Sequence, residues 1–327
     1  MSIKAVKFPM TGTDLDAVNI ARVSFDKFND TFDEKKDVGL IKYLISHGHW
    51  TPMAHNRITF RSLYGTLNKP YEDVHPDLRS HLVNRYGEDG YTYERHSLHG
   101  WVQLIKAGHV TGFEGTSICK ILTGMFPVAM GAYGLTNTNP HVRGDKLDAV
   151  TYKHPDFIDV SIQETVPIFV ARQDFKHKGM FIENEVSRRY VSSEPEFYVP
   201  EVWRGKPEGS IKQGSAGVVE ELVLHSLGVD GYKEPIDEVY KELIEDSFWV
   251  YQRMLENGVA PEMARMVLPQ SMITQYIRTA SLTAWSRMVN QRKDPHAQVE
   301  IQDLATQVDS VIRPMHRRLW SSLVEDV

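Results

Sequence analysis

The sequence predicts a mixed α+β chain with a largely helical C-terminal third. Three observations carry this: apolar residues at helical spacing near both ends, an alternating run at Asn56 to Leu63, and a switch from helical to strand period between Arg172 and Tyr190. Thr13 with Asp16 has the form of a capping box. It opens a helix whose apolar side carries Leu15, Val18 and Ala21. Asp33 to His47 predicts a second helix, with Val38, Ile41, Leu44 and Ile45 inward and Gly48 ending it. In Asn56 to Leu63, Ile58 and Phe60 face one way and Arg57, Thr59 and Arg61 the other, the pattern of a half-buried strand.

From Tyr64 to Gln163 the character changes to histidines, aromatics, a glycine-rich stretch at Met130 to Gly134 and a loop-like Asn137 to Pro140. Helical signal survives at Trp101 to Ile105 and Ser117 to Leu122. So long a connection is rarely structureless, so 64–163 is expected to be a subdomain inserted in a single domain spanning 1–327. Thr165, Val166 and Pro167 then open a helix, since proline is tolerated in a first turn. Glu185 to Tyr190 reads as a strand and Ser192 to Ser215 as loop. Helices are expected at Ala216 to Leu227, Pro235 to Leu255, Pro261 to Leu268, Thr279 to Arg292 and Pro295 to Met315, with Asp294 capping the last.

The 327 residues include 37 basic and 43 acidic side chains, a net charge of −6, so no global basic field invites nucleic acid. Any phosphate site must be built locally. The single cysteine, Cys119, excludes an internal disulfide and points to a reducing compartment. No stretch approaches the roughly 18 consecutive apolar residues of a membrane span, and the N-terminal residues lack the apolar core of a leader. A cytoplasmic protein without membrane association is expected.

The densest polar cluster runs from Arg172 to Tyr190. On a helix, Arg172 and Lys176 are one turn apart, as are Gln173 and His177. On the strand that follows, Glu185, Ser187 and Arg189 share a face. An acid, a hydroxyl and a guanidinium in line suit a ligand with a phosphate and a hydrogen-bonding ring; a solvated charged strand is the alternative. His47, His49 and His55 surround a helix–strand junction. They read as a helix end complemented by imidazoles, or as a metal set lacking a convincing acidic or thiol partner. Glu262 with Arg265, and Arg292 with His296, are late clusters that each suit surface pairing. The histidines between 64 and 163 have scattered spacing that favours scaffold roles.

Together these blocks resemble the flavin-dependent thymidylate synthases. That family's signature is Arg-His-Arg followed by Asn-Glu-x-Ser-x-Arg-Tyr. The second half stands complete as Asn184-Glu185-Val186-Ser187-Arg188-Arg189-Tyr190, and the first appears as Lys176-His177-Lys178 after Pro167 to Gln173. Further blocks follow the family's order: Ala21 to Phe25, His47 to Pro52, Pro195 to Tyr198, Glu262 to Pro269 and Arg292 to Gln298. The chain departs from the pattern in both lysines, in one extra residue before Asn184, in Ala54 where a carboxylate is common, and in the long stretch 64–163.

The resemblance implies a twisted, mostly antiparallel sheet flanked by helices, and an enzyme that converts dUMP to dTMP. FAD would be the cofactor, with methylenetetrahydrofolate as carbon donor and NADPH as reductant. Gln173, Glu185, Ser187, Arg189, Arg265 and Arg292 would hold dUMP, with Ser187 and Arg292 the residues closest to catalysis. Ser24, His49, Thr51, Lys176, His177, Lys178 and His296 would line the FAD site. No metal is implied, and the family's homotetramer shares its active sites between subunits. The rival readings are a nucleotide-binding relative without activity and a histidine-ligated metal hydrolase.

Overall fold

The computed structural model describes residues 3–63, 82–136, 148–191, 193–206, 215–219, 223–225 and 233–325. Its strands are β1 (Lys4–Lys7), β2 (Arg57–Ser62), β3 (Leu82–Glu88), β4 (Tyr91–Ser97), β5 (Asp148–Ala149), β6 (Asp159–Pro167), β7 (Ile182–Glu185), β8 (Arg204–Gly205), β9 (Ala216–Val218), β10 (Val223–His225), β11 (Lys233–Pro235) and β12 (Ile273–Ser281). The helices are α1 (Asp14–Val23), α2 (Asp37–Ser46), α3 (Thr51–Ala54), α4 (Leu98–Lys106), α5 (Gly112–Met125), α6 (Pro127–Ala132), α7 (Ile168–Asp174), α8 (Ile236–Glu256), α9 (Pro261–Ala264), α10 (Leu282–Arg292), α11 (Val299–Ile312) and α12 (Arg317–Ser321).

The main sheet has the order β1-β6-β12-β7, and a second has the order β3-β4-β2-β5. Two short hairpins, β8-β9 and β10-β11, complete the strands, and every pairing between named strands is antiparallel. The expected α+β class with an antiparallel sheet is therefore present. None of the described helices is long and apolar enough to cross a membrane.

Sequence reasoning missed several strands, β1, β3, β4, β5 and β6 among them, and with them β12, which lies inside the main sheet. It pairs with β6 along its whole length, Ile273 opposite Pro167 and Ser281 opposite Asp159, and with β7 from Tyr276 to Thr279. Helices cover both of its faces. Tyr276 and Ala280 join a core with Val160, Ile162, Trp285, Leu304 and Trp320, while Ile277 packs on the other face with Phe8, Ile20 and Val23 of the α1 side. A strand buried on both faces shows no alternation, which is why Thr279 to Ser281 read as helix. The helix begins one residue after β12, where the Ser281 hydroxyl accepts from the Ala284 amide at 3.3 Å.

Some of the local expectations hold and others shift. Thr13 caps α1, its hydroxyl accepting from the Leu15 amide. α2 starts at Asp37 rather than Asp33, because Asp33 spends its carboxylate on the Lys35 and Lys36 amides as a turn. Gly48 ends that helix with φ +71°. β2 is buried on both faces, not one, since Arg57 is held by Asp159 at 3.1 Å and Thr59 is enclosed. Met130 to Ala132 lie in α6, leaving Tyr133 and Gly134 (φ +74°) in a turn. Thr165 and Val166 end β6, and the helix proper starts after Pro167. Ala216 to Leu227 is not helical where described: Ala216–Val218 and Val223–His225 are strands. Asp294 caps a short turn, accepting from the His296 amide at 2.7 Å, and the long helix begins after Gln298. Asn137 to Pro140, His75 and His81 lie outside the described residues.

A second core forms where the N-terminal helices meet the segment 98–135. Ala17, Val18, Ile41 and Met53 pack with Ile58, Phe60, Trp101, Val102, Ile118, Leu122 and Phe126. Removing side chains of this kind from water contributes roughly 1.5–3 kcal/mol each. Segment 64–163 thus ends inside β6 of the main sheet and shares its interior with residues that precede it in sequence.

Candidate functional site

The run Asn184 to Tyr190 folds as a strand end and a turn, which corrects the expected continuous strand. Past Glu185 the Val186 amide still donates to the Gln275 carbonyl of β12 at 2.8 Å, and the chain leaves the ladder at the following residue. The Ser187 amide donates to the Ser24 carbonyl at 3.2 Å, and the Ser24 hydroxyl donates to the Glu185 carbonyl at 3.2 Å. The Tyr190 amide then closes a turn on the Ser187 carbonyl at 2.9 Å. Glu185, Ser187 and Arg189 therefore do not alternate along one strand face. Arg189 instead folds back, its Nε donating to the Ser187 hydroxyl at 3.2 Å and its guanidinium lying 4.9 Å from the centre of the Tyr190 ring. Tyr190 stacks on Phe25 at 4.8 Å.

Beside this turn opens a cleft of about 490 Å³, lined by Arg172, Glu185, Arg188 and Arg265, and closed by Thr274 and Gln275 of β12. That volume lies within the usual range for a small-ligand site. Arg172 comes from α7 and Arg188 from the turn. Arg265 follows the proline-started α9. The Thr274 hydroxyl donates to Glu185 Oε1 at 2.6 Å. Burial pushes the Glu185 carboxyl above the ordinary range, against the opposing pull of Thr274 and Arg265. Arg172, Arg188 and Arg265 share this cleft with four carboxyls, Asp26, Glu185, Glu194 and Glu196; in such a mixed lining arginine can fork onto phosphate oxygens while the acids accept from hydroxyl or ring N–H groups.

Gln173, His177 and Arg292 assemble as a separate cluster. Arg292 Nε donates to His177 Nε2 at 2.8 Å, and its Nη2 donates to the Gln173 carbonyl at 2.9 Å. The Gln173 amide donates to Gln298 Oε1 at 2.6 Å. Desolvation first, and the Arg292 charge second, lower the His177 imidazole to about 4. The helix carrying Gln173 ends at Asp174, so Lys176 and His177 lie beyond it rather than one turn along it. Of the residues expected to hold a nucleotide, Glu185 and Arg265 line the cleft; Gln173, Ser187, Arg189 and Arg292 do not.

Lys176 and Lys178 are exposed, and Lys178 Nζ pairs with Glu183 at 2.6 Å. Ser24 and Thr51 are half-buried hydroxyls, with Thr51 opening α3, which packs on β7. His49 and His296 are exposed; His49 stacks on Tyr43, and His296 shares a proton-bearing contact with Asp294 at 2.9 Å. Of these, Ser24, Lys178 and, through α3, Thr51 reach the edge strand β7; exposed ammonium and hydroxyl groups of this kind can bind phosphate oxygens.

His47 and His49 both lie against Tyr43, while His55 is engaged elsewhere. His47 Nδ1 contacts the Tyr43 carbonyl at 2.9 Å. His55 is buried between Thr279 Oγ1 at 2.7 Å and Asn184 Oδ1 at 3.3 Å, and burial lowers it to about 3. Among the described residues no three histidine, cysteine or acidic side chains are grouped to hold a metal. Cys119 sits on α5 beside a different hollow, with Gly115 and Thr116, and burial raises its thiol pKa. Sequence reasoning missed Arg188 and Thr274 as cleft residues. Arg188 follows the end of β7 at Glu185, and Thr274 belongs to β12, which carries no period-two strand signal in the sequence.

The profile of the family described as thymidylate synthase complementing protein matches residues 155–316. The chain is 28% identical over 334 residues to a flavin-dependent thymidylate synthase of Aquifex aeolicus, an alignment covering 94% of this chain and 96% of that protein. It is 42% identical over 149 residues to the flavin-dependent thymidylate synthase of Thermosipho melanesiensis, covering 45% of this chain and 59% of the relative. Among solved structures, it is similar to a UMP/dUMP methylase, PolB, from Streptomyces cacaoi bound with 5-Br dUMP, at 18% identity and a TM-score of 0.41 over 98% of this chain and 96% of that one. The fold and site define an α+β enzyme with a cleft of arginines and carboxylates at a sheet edge. The chain belongs to the flavin-dependent thymidylate synthase family.

Proposed function

We propose that this enzyme methylates dUMP at C5 to give dTMP, with methylenetetrahydrofolate as carbon donor, FAD as the bound flavin and NADPH as reductant. One observation carries the reading: Glu185, Val186 and Arg188 of the family's motif segment line a cleft that Arg172 and Arg265 also line. In this reading Arg265, Arg172 and Arg188 neutralise the phosphate, and Glu185 accepts from the sugar or base. Ser187 orients the substrate from the rim.

When bound, reduced flavin supplies the hydride, so the chain needs no cysteine nucleophile. Cys119, half-buried on α5 and raised in pKa, is consistent with that. Lys176 and Lys178 neutralise the flavin's diphosphate, while Ser24, His49, Thr51, His177 and His296 contact the rest of the cofactor. Gln173 and Arg292, grouped away from the cleft lining, act on dUMP bound by another copy in a homotetramer. There the Arg292 charge stabilises the negative charge that builds on the uracil carbonyls as C5 becomes nucleophilic.

The test is release of tritium from dUMP labelled at C5 by the purified protein, with each co-substrate omitted in turn, alongside its visible spectrum. Flavin absorbance that bleaches with NADPH, and release that needs dUMP and methylenetetrahydrofolate, is expected. Colourless folded protein that takes up no FAD and releases no tritium overturns the reading.

A further inference from the structure

The segment bearing Lys176, His177 and Lys178 reaches β7 through Gly179, Met180 and Phe181. Met180 has φ +68°, in the left-handed region that L residues with long side chains avoid. Such a conformation persists only where its surroundings impose it, and it clusters at ligand-holding sites.

The imposing group comes from the other sheet. Arg57 lies on β2 with its side chain 3% exposed, and its Nη2 donates to the Met180 carbonyl at 2.8 Å. Its Nη1 donates to Asp159 Oδ1 at 3.1 Å, at the first residue of β6. Asp159 is also paired with the buried Arg95 of β4. One planar fork thus ties three elements to a single backbone oxygen. Nearby, the buried Arg278 of β12 donates from Nη2 to the His177 carbonyl at 3.2 Å. Two interior guanidiniums therefore hold the carbonyls on either side of Lys178 and Gly179, while the Lys176 and Lys178 side chains remain exposed.

We propose that Arg57 is a positioning residue for cofactor binding: by fixing Met180 in its left-handed conformation, it sets the path of the lysine-bearing segment against the diphosphate of the flavin. This rests on the reading above that Lys176 and Lys178 hold that diphosphate. It gives the second sheet a role in the site although none of its side chains lines the cleft.

FAD affinity, read by flavin fluorescence on titration into flavin-stripped full-length protein, tests it. Arg57→Ala weakens FAD binding about tenfold, with Arg95 still neutralising Asp159. Met180→Gly, placed in the Arg57→Ala background, brings affinity back to within about threefold of the parent, because glycine adopts this conformation unaided. Loss without recovery by glycine overturns the proposal, since Arg57 would then act through general stability. Unchanged affinity in Arg57→Ala, with a loss in Lys176→Ala/Lys178→Ala, also overturns it while leaving the flavin reading standing. Unchanged affinity in the double lysine variant removes the flavin reading of this segment, and the proposal with it. Should Arg57→Ala fail to fold, Arg57→Lys takes its place with the same expectations, because an ammonium cannot fork to both oxygens.

Discussion

Arg292 Nε points its hydrogen at His177 Nε2 across 2.8 Å, which fixes that imidazole as an acceptor and keeps its Nδ1 protonated. A proton added to Nε2 would have to displace this bond and sit against the guanidinium. His177 therefore stays neutral down to about pH 4.

The pH dependence of stability follows. His55 and His96 are held near 3 by burial, and His177 near 4. The unfolded chain takes up protons at these positions below about pH 6.5, and the folded chain does not. Stability therefore falls as the pH drops from about 6.5 towards 4, by at most about 1.4 kcal/mol per pH unit for each histidine. Urea midpoints measured between pH 7.5 and 4.5 should decline steadily; a flat profile through pH 5.5 would contradict the buried neutral imidazoles.

Arg292→Ala removes the partner of His177 and the charge assigned to the uracil. The His177 pKa should rise from about 4 towards the ordinary value, visible by NMR of the labelled imidazole. Affinity for dUMP should fall while FAD stays bound. Unchanged dUMP affinity would sink the substrate assignment but not the pKa effect.

Arg265→Ala should weaken dUMP about ten- to a hundredfold, the value of a charge-assisted hydrogen bond. The residual binding should depend less steeply on salt. Ser187→Ala, in contrast, should lower turnover without abolishing it, because its hydroxyl also holds Arg189 at 3.2 Å. Complete inactivity with dUMP binding intact would assign Ser187 a nucleophilic role instead.

Cys119→Ser should leave kcat/KM for dUMP unchanged, since the thiol faces a hollow away from the cleft. A loss beyond about tenfold, in protein with an unchanged melting temperature, would return the thiol to the mechanism.

Arg278→Ala should cost about 3–5 kcal/mol, the usual penalty for stranding buried partners. Arg278 is 0% exposed, 2.5 Å from Asp174, and its guanidinium lies 3.8 Å from the centre of the Phe181 ring. Burial, then Asp174, pushes the neighbouring Glu164 carboxyl well above its ordinary range. A denaturation midpoint matching the parent's would show that the cluster contributes nothing net.

Local chemistry made the helix starts at Thr13 and after Pro235 legible, along with the end at Gly48, because caps and breakers act within a few residues. The pairing of β12 was not legible: its neighbours lie more than ninety positions away, and burial on both faces erases the period-two signal. The same holds for the site. The motif Asn184 to Tyr190 is readable as letters, but Ser24, brought in by α1, ends the strand at Glu185 and turns Arg188 rather than Arg189 into the cleft. Arg172 was visible as charge, yet its partners Glu185 and Arg265 meet it only through the fold.

The shared second core constrains how this chain can be pruned. Val18, Ile41 and Met53 are each fully enclosed, and Trp101, Ile118 and Phe126 supply the cover. Excising 64–157 to mimic a shorter relative would strip that cover and present a greasy patch to water, inviting clumping. A trimmed version therefore requires polar replacements on α1 and α2 at the same time, so chain length and N-terminal composition must change together.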